Sequence, residues 1–325
     1  MTSQLLEIDG FSLGFNTEAG MISVVEELSF DVAQGETVGL VGESGCGKSV
    51  TAMSVMRLLP SPPARVLRGA IRFDGRDLVA LDERAMRDVR GNQIGMIFQE
   101  PMTSLNPTYT IGFQLREALQ LHLPLSKKEA EERATTLMDR VGIGAASRRL
   151  GQYPHELSGG LRQRVMIAMA IACEPKLIIA DEPTTALDVT IQAQILDLLR
   201  DLRAKLNTAI LMITHDLGVV AEFCERVLVM YAGRVVEQAD VFALFQRPRH
   251  PYTQGLLRSM PATAERGARL PMIKGSVPAP GKRGAGCPFA DRCDRVQDRC
   301  RADNPELAPV TDEQARHVAC WNPVP

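Results

Sequence analysis

A glycine-rich stretch near the start of the chain constrains its fold more than any other feature. The run Gly42-Glu43-Ser44-Gly45-Cys46-Gly47-Lys48-Ser49 matches the phosphate-loop pattern G-x-x-x-x-G-K-[ST]. A strand-like run, TVGLV, precedes the loop, and a helix-like run, TAMSVMRLL, follows it. Glycines let backbone N–H groups converge on an anion, and a helix N-terminus adds a favourable dipole. The sequence therefore predicts a phosphate-binding loop between a strand and a helix.

Individual residues of this loop have predicted roles. Lys48 is expected to reach the β- and γ-phosphates of a nucleotide, and Ser49 is expected to offer its hydroxyl to Mg²⁺. A glycine-rich turn without a ligand is the alternative, and the flanking strand and helix argue against it. The expected nucleotide contacts in this stretch are Gly42, Ser44, Gly45, Cys46, Gly47, Lys48, Ser49 and Val50.

Composition and charge limit the classes of protein to consider. The 325 residues are 45% apolar and 23% charged, which indicates a globular protein of one large or two modest domains. The formal charge of -2 gives no basic excess, so a dedicated nucleic-acid binder is not expected. No apolar run has the length of a membrane span, and the first residues lack a signal-peptide pattern. We therefore expect an intracellular protein.

Strand-like and helix-like runs alternate along most of the chain. Predicted strands cover 5–15, 23–32, 37–41, 70–73, 94–98, 177–180, 209–213, 227–230 and 235–237. Predicted helices include 83–90, 126–141, 157–173, 191–206 and 217–225, and Ser126 to Glu129 matches a capping box. This alternation predicts an α/β core with a mostly parallel sheet, divided by a helical insertion.

An acidic pair follows one of the predicted buried strands. Asp181-Glu182 ends the apolar run LIIA, and ligands of open α/β sheets bind at the carboxyl ends of the strands. Asp181 is expected to join the Mg²⁺ shell, and Glu182 is expected to polarise an attacking water molecule. The alternative is a solvated acidic pair that caps the next helix.

Five further motifs accompany the phosphate loop in a fixed order. They are Gln99 after a strand, Leu157-Ser158-Gly159-Gly160, the strand from Lys176 to Glu182, Ala186-Leu187-Asp188, and His215 within ITHD. With the loop, they resemble the nucleotide-binding subunit of an ATP-binding cassette (ABC) transporter, over roughly residues 5–245. In that family they are the Q-loop, the signature, the Walker B strand, the D-loop and the switch histidine. Phe15 lies where the family usually has an aromatic side chain that stacks on adenine.

The resemblance implies a mechanism. Two such subunits bind two ATP molecules head to tail, so that Ser158 of one subunit faces the phosphates held by Lys48 of the other. A helix that begins with Ser-Gly-Gly offers backbone N–H groups and a positive dipole for this contact. The implied assignments are Glu182, His215 and Gln99 as catalytic residues; Ser49, Gln99 and Asp181 as Mg²⁺ ligands; and Phe15, Ser158, Gly159, Gly160 and Asp188 as nucleotide contacts.

Two positions depart from the family pattern. Leu161 stands where many members have glutamine, and we expect little loss because the phosphate contacts come mainly from Ser158 and the backbone. Cys46 stands where serine is common, and a thiol near a helix N-terminus can have a lowered pKa. We hypothesise that Cys46 reacts with maleimides and that ATP protects it. The alternative is a small side chain that only fills the loop.

Two stretches resemble one branch of the family, the importers of dipeptides, oligopeptides and nickel. They are FQEPMTSLNP at 98–107 and HPYTQGLL at 250–257. The predicted domains are a nucleotide-binding domain at 1–245 and a peptide-importer-type extension at 246–325. The resemblance implies an ABC-type P-loop NTPase core with an antiparallel β subdomain, an inserted helical subdomain at about 100–171 and a small Cys-rich C-terminal extension.

The extension holds four of the seven cysteines, namely Cys287, Cys293, Cys300 and Cys320. Such a cluster in an intracellular chain indicates a metal more than disulfides, although the spacings are wider than those of a zinc ribbon. Four cysteines can hold an iron–sulfur cluster, and some members of the peptide-importer branch bind a [4Fe–4S] cluster. We predict such a cluster here, with zinc, free thiols or a disulfide as alternatives.

The sequence therefore predicts an ATPase subunit that powers import of peptides or related small solutes by ATP-driven dimerisation. The implied partners are a second ATPase subunit, favoured as a different chain, two transmembrane permease subunits and an extracytoplasmic solute-binding protein, without nucleic acid. The implied location is peripheral, at the cytoplasmic face of the inner membrane. One alternative is a soluble ABC ATPase acting on ribosomes or DNA. Another is a catalytically silent cassette, which the intact motifs argue against.

Overall fold

The computed structural model describes residues 4–184, 188–260, 271–310 and 315–325. The chain divides into two compact units. The first unit comprises Met1–Leu5, Val32–Glu36 and Ala80–Met212, and the second comprises Leu6–Asp31, Thr37–Val79 and Ile213–Pro325. Ala186 and Leu187 of the predicted D-loop lie outside the described residues.

The regular elements follow the predicted alternation of strands and helices. The strands are β1 Gln4–Thr17, β2 Gly20–Ala33, β3 Thr37–Val41, β4 Ala64–Phe73, β5 Arg76–Asp77, β6 Ile94–Ile97, β7 Leu177–Asp181, β8 Ala209–Thr214, β9 Arg226–Tyr231, β10 Arg234–Asp240, β11 Ala308–Pro309 and β12 His317–Val318. The helices are α1 Lys48–Val55, α2 Glu83–Val89, α3 Pro101–Ser104, α4 Ile111–His122, α5 Lys127–Arg140, α6 Ala146–Arg149, α7 Gly159–Ala170, α8 Val189–Leu206, α9 Leu217–Phe223, α10 Val241–Gln246, α11 Pro251–Arg258 and α12 Asp298–Ala302.

The first unit contains buried strands that lie side by side in the order β8, β7, β6. β6 and β7 are parallel, in a register that pairs Ile94 with Leu177 and Ile97 with Ala180. All residues of both strands are buried, as expected for apolar strands covered on both faces. The parallel arrangement brings the carboxyl ends of β6 and β7 to the same edge of the sheet.

Helices make up most of the rest of the first unit, and α4, α5 and α7 pack on one another. The buried positions of α4 include Ile111, Leu115 and Leu119, which recur every four residues and form one apolar face. The capping box predicted for α5 is present, because Ser126 accepts the backbone N–H of Glu129 while the Glu129 carboxylate accepts that of Ser126.

An antiparallel sheet in the second unit has the strand order β2, β1, β4, β5. β4 begins at Ala64, six residues before the predicted start at 70. Its first residues pair with β1, as Gly14 with Arg65 and Leu13 with Val66, yet the side chains from Arg65 to Gly69 are exposed. Without a buried face, this part of the strand has no apolar pattern in the sequence.

The phosphate-loop strand β3 belongs to the second unit and is parallel to β9, with Val41 opposite Val229. β9 and β10 form a hairpin whose two turn residues, Ala232 and Gly233, both have positive φ, as a type I′ turn requires. β12 adds to the far side of β10, and β11 to β12. The second unit therefore contains both parallel and antiparallel pairs.

The C-terminal residues of the second unit are fixed to it by ion pairs. Arg316 and Glu237 form a fully buried pair at 2.7 Å, and Glu237 also accepts the backbone N–H groups of Arg249 and His250. Arg283 pairs with Glu26 at 2.9 Å. Within residues 271–310 and 315–325, which these contacts hold, the regular elements are short. None of the helices in the part of the chain described here has the length and apolarity of a membrane span.

Candidate active site

The predicted phosphate loop connects β3 to α1, as the sequence indicated. Gly42, Gly45 and Gly47 have φ values of 154°, 80° and 110°, a region of backbone conformation that favours glycine. A Cβ atom at Gly42 would lie 2.2 Å from the backbone oxygen of Met230. The loop is also tied to the β9–β10 turn, because the N–H of Gly233 donates to the carbonyl of Cys46 at 2.8 Å. At Gly42, both the backbone conformation and the lack of space for a Cβ atom therefore require glycine.

The side chain of Lys48 is buried and folds back over the loop. Its Nζ donates to the carbonyl oxygens of Gly42, at 2.7 Å, and Glu43, at 3.1 Å. These contacts satisfy an ammonium group that would otherwise be buried without a partner. They also place the positive charge of the ammonium group against the backbone of the loop.

The hypothesis that Cys46 is a reactive thiol is wrong. The side chain is 1% exposed, and burial raises its pKa above the ordinary value, although the neighbouring Lys48 charge acts in the opposite direction. The thiolate is the nucleophilic form, so burial and a raised pKa both oppose the reactivity expected of this thiol. The alternative, a small side chain that fills the loop, agrees with the structure.

The ends of β6 and β7 bring together two predicted catalytic residues of the first unit. Two residues beyond the paired Ile97 and Ala180, the side-chain amide of Gln99 donates to the carboxylate of Glu182 at 3.0 Å. Glu182 has φ of 49°, which for a residue other than glycine stores roughly 1–3 kcal/mol of strain. Asp181, the last residue of β7, is buried. This edge of the sheet therefore carries an oriented carboxylate next to a buried one.

The predicted signature residues lie at the start of α7. Ser158 is the N-cap residue, yet its side chain makes no capping hydrogen bond, and both Ser158 and Gly159 are exposed. Further along α7, the buried side chain of Gln163 donates to the carbonyl of Pro183 at 2.6 Å. That contact links α7 to the residue after Glu182. Sequence reasoning missed Gln163, whose type and position carry no recognisable signal by themselves.

The other predicted residues are distributed as follows. His215 is exposed and directly follows β8, and Asp216 caps α9 by accepting the N–H of Gly218 at 2.8 Å. Asp188 caps α8 by accepting the N–H of Ile191 at 3.0 Å. Phe15 is half-buried near the end of β1, opposite Ala64.

Comparison with known proteins identifies the family. The model of the ABC transporter family matches residues 25–185, and the model of the oligopeptide/dipeptide transporter C-terminal region matches residues 236–300. The chain is 53% identical over 318 residues to a probable peptide ABC transporter ATP-binding protein of Sinorhizobium fredii, covering 98% of this chain and 94% of the relative. The chain belongs to the ATP-binding subunits of peptide ABC importers.

Two further comparisons support this family assignment. The dipeptide transport ATP-binding protein DppD of Escherichia coli is 50% identical over 320 residues, which cover 98% of this chain and 97% of DppD. Among solved structures, the ATP-binding cassette MJ0796, described as dimeric and bound to ADP and phosphate, superposes with a TM-score of 0.66 at 26% identity. The matched part covers 73% of this chain and 99% of that cassette.

The family assignment confirms the main functional predictions. This peptide-importer subunit has the ABC ATPase P-loop fold with mixed α/β sheets, it is an ATPase that serves peptide import, and ATP and Mg²⁺ fit its family. Like the ATP-binding subunits of such importers, it is peripheral at the inner face of the membrane. The alternative of a soluble ATPase for ribosomes or DNA is not favoured.

The predicted iron–sulfur cluster is wrong. Cys287, Cys293, Cys300 and Cys320 line one small cavity, and all seven cysteines of the chain are free. Over the described ranges, however, no group of three or more His, Cys, Asp or Glu side chains is arranged to hold a metal ion, which also removes support for zinc there. The relatives are described only as ATP-binding proteins.

The HPYT stretch has a physical role that sequence reasoning missed. His250 is the N-cap residue of α11, and its Nδ1 accepts the backbone N–H of Tyr252 at 3.0 Å. The hydroxyl of Tyr252 in turn accepts the backbone N–H of Glu43 in the phosphate loop at 2.8 Å. The region that matches the oligopeptide/dipeptide transporter C-terminal model therefore contacts the predicted phosphate loop directly. The contact joins residues 209 positions apart, so no local pattern could have predicted it.

Proposed function

We propose that this ATPase subunit hydrolyses ATP with Glu182 as the general base, and that the loop from Gly42 to Ser49 binds the phosphates. The observation that carries the assignment of Glu182 is its hydrogen bond with Gln99 at 3.0 Å, at the carboxyl ends of two parallel strands. A carboxylate held in one orientation by a neighbouring amide is suited to accept a proton from an attacking water molecule.

The remaining roles follow from the chemistry of the side chains. Lys48 and the backbone N–H groups of the loop bind the β- and γ-phosphates, and Lys48 exchanges its carbonyl contacts for phosphate oxygens. His215 orients the γ-phosphate, while Phe15 stacks on the adenine. We also propose nucleotide contacts for Val50 and Asp188 and for the remaining loop residues Gly42, Ser44, Gly45, Cys46, Gly47 and Ser49.

Mg²⁺ is proposed to bind through Ser49, Gln99 and Asp181. Their hydroxyl, amide and carboxylate oxygens are the hard donors that Mg²⁺ prefers, and Mg²⁺ commonly takes its other ligands from water and substrate phosphates. When bound, the ion would neutralise charge on the phosphates. Asp181 is well suited to this role, because a carboxylate that is 2% exposed has little access to bulk water.

The signature residues Ser158, Gly159 and Gly160 are proposed to bind the nucleotide of a second ATP-binding subunit. The exposed start of α7, with a serine whose hydroxyl makes no capping bond, supports this role. We propose that the second subunit is a different chain, and that the pair works with two permease subunits and a solute-binding protein. We also propose a nucleotide-binding domain at 1–245, with a helical subdomain at about 100–171, and a peptide-importer extension at 246–325.

Replacement of Glu182 by glutamine tests the catalytic assignment. Glu182→Gln keeps the shape of the side chain and removes the base, so we expect kcat to fall by about 100-fold or more. The Kd for ATP should stay within about threefold of the wild-type value. ATP turnover and binding of a fluorescent ATP analogue are measured with the full chain, alone and in complex with its transporter partners.

The matched control is Glu132→Gln on α5, an exposed glutamate of the same unit that lies 3.9 Å from Lys128. It should leave turnover unchanged. Glu182 is not the general base if Glu182→Gln turns over ATP at the wild-type rate. A wild-type complex that binds ATP without hydrolysing it would instead favour the silent-cassette alternative.

A further inference from the structure

Glu43, the second residue of the phosphate loop, is held by two residues of the C-terminal extension. Its backbone N–H donates to the hydroxyl of Tyr252 at 2.8 Å. Its carboxylate accepts two hydrogen bonds from the guanidinium of Arg292, at 2.6 Å and 3.0 Å. All three residues belong to the second unit. A loop residue without an assigned role is therefore fixed at both its backbone and its side chain.

The environment of Arg292 fixes its guanidinium in the geometry of this contact. The side chain is 6% exposed, its Nε donates to the carbonyl of Lys274 at 2.8 Å, and one terminal nitrogen also reaches the hydroxyl of Tyr231 at 3.3 Å. A planar guanidinium with these contacts presents two parallel N–H donors to a carboxylate, which a lysine ammonium cannot do.

An aromatic cluster joins the extension to the strand beside the loop. Phe289 lies 5.3 Å from Tyr231 and 5.4 Å from Tyr252 between ring centroids, and the two tyrosines are 4.6 Å apart. Both tyrosines are fully buried and Phe289 is 3% exposed. The Arg292 guanidinium lies 5.8 Å from the Tyr231 ring centroid. The position of the extension and that of Glu43 are therefore set by one packed cluster.

Glu43 also receives an internal contact, from Lys48 to its carbonyl at 3.1 Å. That contact is lost when the lysine turns to a phosphate. The glycines of the loop allow many backbone conformations, and ordering them has an entropic cost that reduces affinity. The contacts from Tyr252 and Arg292 use the backbone N–H and the carboxylate of Glu43, so an anion bound by the N–H groups of the rest of the loop does not compete for them.

We propose that Arg292 is a positioning residue for ATP, which acts through Glu43 to hold the phosphate loop in its binding conformation. This inference rests on the proposed role of the loop from Gly42 to Ser49. It makes the C-terminal extension a part of the nucleotide site. Because coupling between two sites is reciprocal, ATP in the loop stabilises the segment around Arg292 to the same degree.

The test compares Arg292→Met and Arg292→Lys with Arg301→Met in the full chain. Arg301 lies in the same extension and pairs with Asp291 at 2.8 Å, but both side chains are exposed. We expect Arg292→Met to raise the Kd and the KM for ATP by about tenfold, the effect of losing one charge-assisted contact, with kcat within about twofold. Arg292→Lys should be intermediate, and Arg301→Met should match the wild type.

A second variant, Glu43→Gln, keeps the backbone contact with Tyr252 and removes the charge, so it should reproduce the affinity loss even if Arg292→Met does not fold. Hydrogen exchange of residues 287–293 should slow when ATP binds to the wild type and should slow less in Glu43→Gln. A purely structural ion pair would lower the thermal midpoint without changing the Kd for ATP, and that result in Glu43→Gln overturns the proposal.

Lys48→Ala separates this proposal from the one on which it rests. If Lys48→Ala binds ATP normally, the phosphate-loop assignment itself fails. If Lys48→Ala loses ATP while Arg292→Met and Glu43→Gln bind it with wild-type affinity, only the positioning role of Arg292 fails.

Discussion

Gly42 shows at the scale of one residue how the phosphate loop depends on the absence of a side chain. We expect Gly42→Ala to lower the free energy of unfolding by more than about 2 kcal/mol, because the residue has φ of 154° and its Cβ would meet the Met230 carbonyl at 2.2 Å. Gly45→Ala is the matched control. Gly45 also has positive φ, but a Cβ there meets nothing within 4 Å, so the loss should be only about 1–2 kcal/mol.

Urea denaturation of the nucleotide-free proteins measures both changes. Equal losses for Gly42→Ala and Gly45→Ala would mean that backbone conformation alone, and not the close approach of Met230, requires glycine in this loop.

Some functional residues could be predicted from the sequence and others could not, depending on whether their geometry is set by neighbours in the chain. Gly42, Lys48 and Glu182 belong to patterns whose spacing reflects local backbone geometry, so the sequence predicts roles for them. Arg292 contacts Glu43, which lies 249 positions away in the chain. Nothing in the sequence distinguishes this buried arginine from an arginine in an exposed ion pair. The Cys46 hypothesis failed for a related reason. The sequence indicates a helix N-terminus nearby but not the burial that raises the pKa of the thiol.

At the scale of elements, the start of α11 depends on a neutral histidine. His250 is 1% exposed, and burial lowers its pKa from the ordinary 6.5 to about 3. The unfolded chain therefore binds a proton below about pH 6.5 that the folded chain binds only near pH 3. The stability from this residue is complete above pH 6.5 and falls as the pH decreases, by about 2 kcal/mol at pH 5.

The variant His250→Asn tests this pH dependence. Asparagine can still accept the Tyr252 N–H at the N-cap but does not titrate, so the decrease of stability between pH 7.5 and pH 5 should be smaller by about 2 kcal/mol. His155→Asn replaces an exposed histidine and should keep the wild-type slope. Urea denaturation across this pH range measures the difference, and equal slopes in all three proteins would contradict the argument.

The elements themselves were largely predictable, because periodicity and caps are local signals. β3 has the predicted bounds, and the capping box of Ser126 starts α5 where expected. The start of β4 was missed because its exposed residues are held by backbone pairing with β1. The role of HPYT was missed for the same physical reason as that of Arg292. Its partner, the loop residue Glu43, is remote in the chain.

At the scale of the whole molecule, the start of α7 should control ATP-driven association. In the background Glu182→Gln, which is expected to trap ATP, we predict that the additional change Ser158→Glu abolishes association of two ATP-binding subunits. A carboxylate there would oppose the phosphates that the N–H groups of α7 attract. Stability should change little, because the Ser158 side chain makes no capping hydrogen bond.

Ser126→Ala provides the opposite pattern as a control. Ser126 caps α5, so its loss should cost about 1 kcal/mol of stability and leave association intact.

Light scattering with MgATP measures association, both for the chain alone and for its mixture with a second ATP-binding subunit. A doubled mass for the chain alone would reject the proposed heterodimer, whereas a doubled mass only in the mixture supports it. Association that survives Ser158→Glu in the sample where the parent associates would contradict the prediction, since no other change separates that variant from its parent.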